Sequence, residues 1–170
     1  MTIEMDPLAD LPGADDFDAL LVREELRRAR TGESLAVAMV DLDGLRAVNK
    51  HHGAAVGTEA LRLCVSTLRA TLRAVDDIAR TGPDEFGVLL HGTDARNAAS
   101  WADRFEDELA AESFAHVAGP LTCSIGIAGT SADQTIIEAA EKARRRMEVI
   151  RTMRKLRRSR EGGAEPTGPA

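Results

Sequence analysis

Aromatic residues are scarce: they make up 3% of the 170 residues, with one Trp, four Phe and no Tyr. A surface that stacks on nucleic-acid bases relies on such rings, so nucleic acid is not the expected partner. Long apolar runs are missing too, and none approaches the ~20 residues that a membrane span needs. The opening MTIEMDPLAD is acidic and lacks the basic-then-apolar order of a secretion signal, which makes a cytoplasmic protein the expectation. The two cysteines, Cys64 and Cys123, form no CxxC pair and are expected as buried, reduced thiols. His51 and His52 sit together at a loop and His91 and His116 are scattered, so a histidine metal centre is not expected.

What is present is an ordinary globular composition, 44% apolar and 29% charged, enough for one domain with a sizeable core. The formal net charge of −6 is unevenly spread. Residues 142–160 hold ten Lys and Arg against Glu148 alone, so the rest of the chain is strongly acidic. An acidic body repels polyanions at long range, whereas the basic stretch attracts them. Such a run reads first as a solvated helical surface.

Residues 1–14, with Pro7, Pro12 and Gly13, read as an irregular lead-in. Helical periodicity follows over 15–30, with Phe17, Leu20, Leu21 and Leu26 as the apolar face. The continuous apolar run 35–40 (LAVAMV) predicts a buried central strand. A short helix broken near Gly53 and a longer one over 58–73 come next. Two short strands around Gly82-Pro83 predict a hairpin, since proline suits a turn. A helix over 94–111, a strand over 121–128 and a helix from about 133 to 160 complete the order. The last helix has an inner apolar stripe and a second apolar row at Val149, Met153 and Leu156, which fits self-association or a partner helix. The main domain is expected over 15–150, a basic helical extension over 151–160 and a disordered tail over 161–170. The order βααββαβ between flanking helices implies an α+β fold with a mainly antiparallel central sheet.

Four carboxylates fall at the ends of these strands. Asp41 and Asp43 close the central strand and are expected to point to opposite faces; Asp84 and Glu85 lie at the hairpin. If the hairpin pairs beside the strand, two or three carboxylates converge into a hard-oxygen site suited to Mg²⁺ and phosphoryl transfer. The spacing alone leaves open that these residues serve only as turn and capping groups.

The segment RTGPDEFGVLL resembles the R-x-G-G-D-E-F motif of the GGDEF family, with Gly82, Asp84, Glu85 and Phe86 matching. Residues 41–61, DLDGLRAVNKHHGAAVGTEAL, are similar to that family's D-x-D-x-F-K-x-I-N-D-x-x-G-H-x-x-G-D-x-x-L through Asp41, Asp43, Asn49, Gly53, Gly57 and Leu61. DPLADLPG at 6–13 and CSIGIA at 123–128 match two further family segments. The resemblance implies the nucleotidyl-cyclase-like fold of diguanylate cyclases, in which two GTP-loaded domains face each other and make cyclic di-GMP. It implies Asp41, Glu85 and the Leu42 carbonyl as Mg²⁺ ligands when GTP binds, Asp84 in deprotonating the attacking hydroxyl, and Asn49 and Arg46 as substrate-binding residues.

The pattern breaks at several of these points. Pro83 replaces the second glycine, adding a ring and deleting an N–H where the backbone passes close to the nucleotide. Thr58 stands where a guanine-reading aspartate belongs, and a hydroxyl cannot accept from two guanine N–H groups at once. Glu148 takes the register of a phosphate-binding lysine, and Thr152 that of the following arginine. By contrast, Arg73-Ala74-Val75-Asp76 matches the RxxD inhibitory site where the family binds cyclic di-GMP, with Arg104 at the place of a second arginine. Arginine forks suit phosphates and purine faces. The family's early Asn-Arg pair is replaced by Gly13-Ala14. The expectation is a regulator of weak or no catalytic activity, binding cyclic di-GMP or a protein partner or homodimer. The alternatives are a low-activity diguanylate cyclase and an adaptor that uses the basic helix to bind a polyanion or a partner helix.

Overall fold

The apolar run at 35–40 forms the heart of strand β1 (Leu35–Leu42), in which all eight residues are buried. A strand covered on both sides needs no polar alternation. The computed structural model describes residues 6–112, 114–115 and 119–161. His116, the start of the expected lead-in and all of the expected tail beyond residue 161 lie outside the described residues. β1 pairs antiparallel with β3 (Glu85–His91) on one side and β4 (Cys123–Gly129) on the other. β2 (Asp77–Arg80) pairs antiparallel with β3, giving the order β2-β3-β1-β4. The helices are α1 (Ala14–Thr31), α2 (Leu45–His52), α3 (Ala54–Thr71), α4 (Ala95–Ala111) and α5 (Ile136–Glu161).

Strand side chains alternate between faces, and β1 divides accordingly. Ala36, Ala38, Val40 and Leu42 meet Leu61, Val65 and Leu68 of α3 and Trp101 and Phe105 of α4. Leu35, Val37 and Met39 meet Phe17 and Leu21 of α1 and Ile136, Ala139, Ala143 and Met147 of α5. The result is three layers with the sheet in the middle. Leu26 does not join the apolar face of α1 and is 68% exposed. The buried positions are Phe17, Leu21 and Glu24, and Leu26 lies about 200° round the helix from Glu24. Glu24 is tolerated inside because Arg23 and Arg27 both bind its carboxylate.

Two glycines flank Met39 in register, Gly87 on β3 and Gly126 on β4. A Cβ on Gly87 would come within 2.6 Å of the Phe17 ring. One on Gly126 would come within 1.9 Å of the Ala143 carbonyl and 2.3 Å of the Met147 nitrogen. The bare backbone at Gly126 therefore lets α5 lie directly on the sheet. Cys64 and Cys123 are buried free thiols, with sulfurs 3.9 Å apart across the α3–β4 boundary. Among the described residues, no helix is long and apolar enough to cross a membrane.

Candidate functional site

The hairpin does pair beside the central strand. Asp41 and Glu85 are register partners, and the Leu42 N–H donates to the Asp84 carbonyl at 2.9 Å. Leu42 itself ends β1 in register with Cys123. Asp41 is 3% exposed. Burial, with the charges of Asp84 and Asp43 nearby, pushes its carboxyl up to about 6 and outweighs the opposing pull of Arg151.

Asp41 and Asp43 do not split between faces. Residues two apart along an extended chain return to the same side, and both carboxylates reach arginines of α5. Arg151 Nη1 donates to Asp41 Oδ2 at 2.9 Å, and Arg144 Nη2 donates to Glu85 Oε1 at 3.2 Å. Glu85 Oε1 also accepts from Thr81 Oγ1 at 2.9 Å. Arg154 reaches Asp43 Oδ2 at 3.0 Å, Glu106 Oε1 at 2.7 Å and the Cys123 carbonyl. Arg158 donates to Thr122 Oγ1 at 2.7 Å. Asp43 further accepts from Thr122 and Ser124 hydroxyls at 2.9 and 2.7 Å, so it is a structural tie between β1 and β4. The basic stretch is thus no simple solvated surface, since its inner edge neutralises the acidic end of the sheet.

This arrangement does not suit a divalent cation. The Asp41 and Glu85 carboxylates already take guanidinium donors, and among the described residues no three His, Cys, Asp or Glu side chains converge on a metal position. The expected substrate residues lie on the neighbouring helices. Asn49 and Arg46 are exposed on α2, and a Cβ at Gly57 of α3 would fall 1.7 Å from Asn49 Oδ1. Gly57 therefore leaves room for the Asn49 amide. Thr58 turns its hydroxyl onto the Ala54 carbonyl at 3.0 Å, within its own helix. At the hairpin, Arg80 donates to the Pro83 carbonyl at 2.6 Å and to that of Gly82 at 3.3 Å, clamping the turn.

Arg73 and Asp76 meet at the approach to β2. The Asp76 carboxylate accepts from Arg73 Nε and Nη2 at 3.1 and 2.9 Å, and from the backbone N–H groups of Arg73 and His91 at 2.9 and 3.0 Å. Burial raises the Asp76 carboxyl, but these hydrogen bonds more than reverse that and leave it below the usual range. Arg73 also donates to Thr93 Oγ1 at 3.0 Å and to the His91 carbonyl. Asp76 is 2% exposed and Arg73 56%, so the pair presents a guanidinium above a buried anchor. Arg104 is exposed on α4 and makes no hydrogen bond or ion pair with that anchor. Sequence reasoning missed the neighbouring His91. Its Nδ1 faces Arg27 Nη2 at 2.9 Å and its Nε2 faces Asp77 Oδ2 at 2.9 Å. A guanidinium only donates, so Nδ1 accepts and the Nε2–H donates to Asp77. No local pattern could have joined His91 to Arg27, 64 residues away. The α5 arginines were missed for a similar reason, although a basic helix beside an acidic body was the available signal.

The family model described as diguanylate cyclase, GGDEF domain, matches residues 3–155. Diguanylate cyclase DgcP of Pseudomonas aeruginosa is 35% identical over 143 residues, covering 81% of this chain and 21% of DgcP. The chain thus spans about a fifth of that relative's length. The diguanylate cyclase SiaD of P. aeruginosa, solved in complex with its activator SiaC, matches with a TM-score of 0.76 at 26% identity, over 87% of this chain and 58% of SiaD's. The GGDEF domain of DgcB from Caulobacter crescentus, solved with c-di-GMP, shares the fold with a TM-score of 0.77 at 20% identity, over 96% of this chain and 93% of that one. With its antiparallel sheet, its hairpin beside β1 and a family match over nearly the whole described length, the chain belongs to the GGDEF domain family of diguanylate cyclases.

Proposed function

We propose that this GGDEF domain acts in cyclic di-GMP signalling as a regulator that binds the dinucleotide or a protein partner, and does not turn over GTP efficiently. The observation that carries the reading is the Thr58 hydroxyl bonded to the Ala54 carbonyl, in the place of a base-reading carboxylate. Pro83 and Glu148 act in the same direction at the hairpin and at the phosphates. A carboxylate near a triphosphate costs about 1 kcal/mol per charge pair at 4 Å in water, and about fourfold more near a protein surface. The ligand arm of the proposal rests on Arg73, whose side chain is more than half exposed over Asp76. Arg104 would join it only through a ligand that spans the two. The partner arm draws on the outer side of α5, where Val149, Met153 and Leu156 are exposed. SiaD, a structural relative, was solved with a protein activator.

A weak diguanylate cyclase is the second reading, favoured by the register pairing of Asp41 with Glu85 and the retention of Asp84. Two measurements on one preparation separate the readings. Incubation with GTP and Mg²⁺ is expected to give no appreciable cyclic di-GMP. Multiple turnovers abolished by Glu85→Ala would overturn the regulator reading. Calorimetric titration with cyclic di-GMP is expected to weaken at least tenfold in Arg73→Ala and to persist in Glu85→Ala. The reverse pattern would place the ligand in the old substrate pocket.

A further inference from the structure

Asp41 and Glu85 sit side by side across the β1–β3 pair, where directly opposed Cβ atoms are about 4.5–5.5 Å apart. Two ionised carboxylates that close repel each other, and a cation between or above them relieves the repulsion. Two kinds of cation can do this, a divalent ion with its waters or a guanidinium. We infer that Arg151 and Arg144 are built-in counter-ions that hold the Asp41–Glu85 edge closed to divalent metal, so that α5 keeps a latent cation site filled with protein.

Three features fix the arginines there. Arg144 and Arg151 are seven residues apart, about two helical turns, and so project from one side of α5. Beside them, Ala143 just before Arg144 and Met147 between the two arginines rest on Gly126, which holds the helix axis close to the sheet and sets the reach of both side chains. Beyond them, Arg154 ties α5 to Asp43 and Glu106, and Arg158 ties it to Thr122. The helix is anchored on both sides of Arg151 and cannot swing that guanidinium away without breaking further ion pairs.

Charge favours the same conclusion. Asp41, Asp84 and Glu85 together carry three negative charges when ionised, and Arg144 and Arg151 cancel two of them. Mg²⁺ or Mn²⁺ seeks near-octahedral oxygen coordination at about 2.0–2.1 Å and keeps several waters. A guanidinium donating to Asp41 at 2.9 Å occupies that hydration shell. A divalent ion entering the edge as it stands gains one uncancelled carboxylate and meets two fixed positive charges.

The test is Mn²⁺ binding to the full chain without nucleotide, read by the loss of the free-ion electron paramagnetic resonance signal. Wild type is expected to bind no Mn²⁺ at millimolar concentration. Arg144→Ala/Arg151→Ala is expected to bind at least tenfold more tightly, and adding Asp41→Asn to that variant to abolish the gain. If the double variant fails to fold, by circular dichroism, Arg144→Gln alone decides. It changes a half-exposed side chain, and at least a threefold gain over wild type is expected. Binding by wild type that Asp41→Asn removes would overturn the inference, and so would variants that fold and gain nothing. Neither GTP turnover nor cyclic di-GMP affinity is read, so a failure here is distinct from a failure of the regulator reading.

Discussion

Replacing Asp76 by alanine removes the acceptor for two backbone N–H groups, those of Arg73 and His91, and the partner of the Arg73 guanidinium. The costs are unequal. The His91 N–H is partly buried at the end of β3, and hydrogen bonds to a charged group contribute about 1.5–3 kcal/mol each. The Arg73 N–H is exposed and regains water. The Arg73 side chain is more than half exposed, and such pairs contribute about 0–1 kcal/mol. The expected loss is therefore about 2–4 kcal/mol, a fall of about 5–15 °C in melting temperature for a chain of this size. Arg73→Ala, which leaves the buried carboxylate with both backbone donors, should cost under about 1 kcal/mol. The sign with pH follows from the lowered carboxyl of Asp76. Its contribution is present above the ordinary value of 3.8 and fades as pH falls through the lower folded value, so the gap between wild type and Asp76→Ala closes in acid. Thermal melts of the three proteins at pH 7 and pH 3 check this. Equal losses for Asp76→Ala and Arg73→Ala, or a melting point for Asp76→Ala within 1 °C or so of wild type, would refute the reasoning. The asymmetry also says which variant can be trusted as a ligand probe. Arg73→Ala reports on binding, whereas Asp76→Ala mixes binding with loss of fold.

Asp41 works in the opposite sense: its carboxyl is raised to about 6 in the folded chain, so its contribution to stability declines as pH rises from about 3.8 to about 6 and is level above. Asp41→Asn is expected to stabilise the protein at pH 8 by up to about 3 kcal/mol and to change little at pH 4, as denaturant titration at both values will show. Gly126→Ala places a methyl group against the Ala143 carbonyl and the Met147 nitrogen, so α5 must lift. A cost of about 3 kcal/mol or more is expected in the same titration, and a neutral result would mean that the helix does not rest on β4.

The architecture was legible because its signals are local. An unbroken apolar run gave β1, a Gly-Pro turn gave the hairpin, and 3.6-residue periodicity gave the helices. Leu26 misled because leucine is a good helix former whether or not it faces the core. The separation of Asp41 from Asp43 was read with the wrong parity, as two residues along a strand restore the face. The charged edge was hidden for a different reason: Arg151 and Asp41 are 110 residues apart, and Arg154 and Asp43 are 111. No periodicity reports such pairs. RxxD showed as a motif, but the second duty of Asp76, capping the His91 N–H 15 residues away, belongs to the fold alone.

The two thiols have a kinetic meaning. Cys64 and Cys123 are fully buried on opposite sides of the α3–β4 seam, and hydrogen bonding between them, together with burial, raises the Cys123 thiol well above its usual range. Neither sulfur is reached by solvent, so neither can be alkylated while the seam is shut. Labelling must wait for the core to open. In the regime where reclosing outpaces the chemistry, the labelling rate divided by that of a free thiol gives the opening equilibrium directly. The chain thus carries its own clock for core opening, and it can be timed by mass spectrometry without introducing a probe.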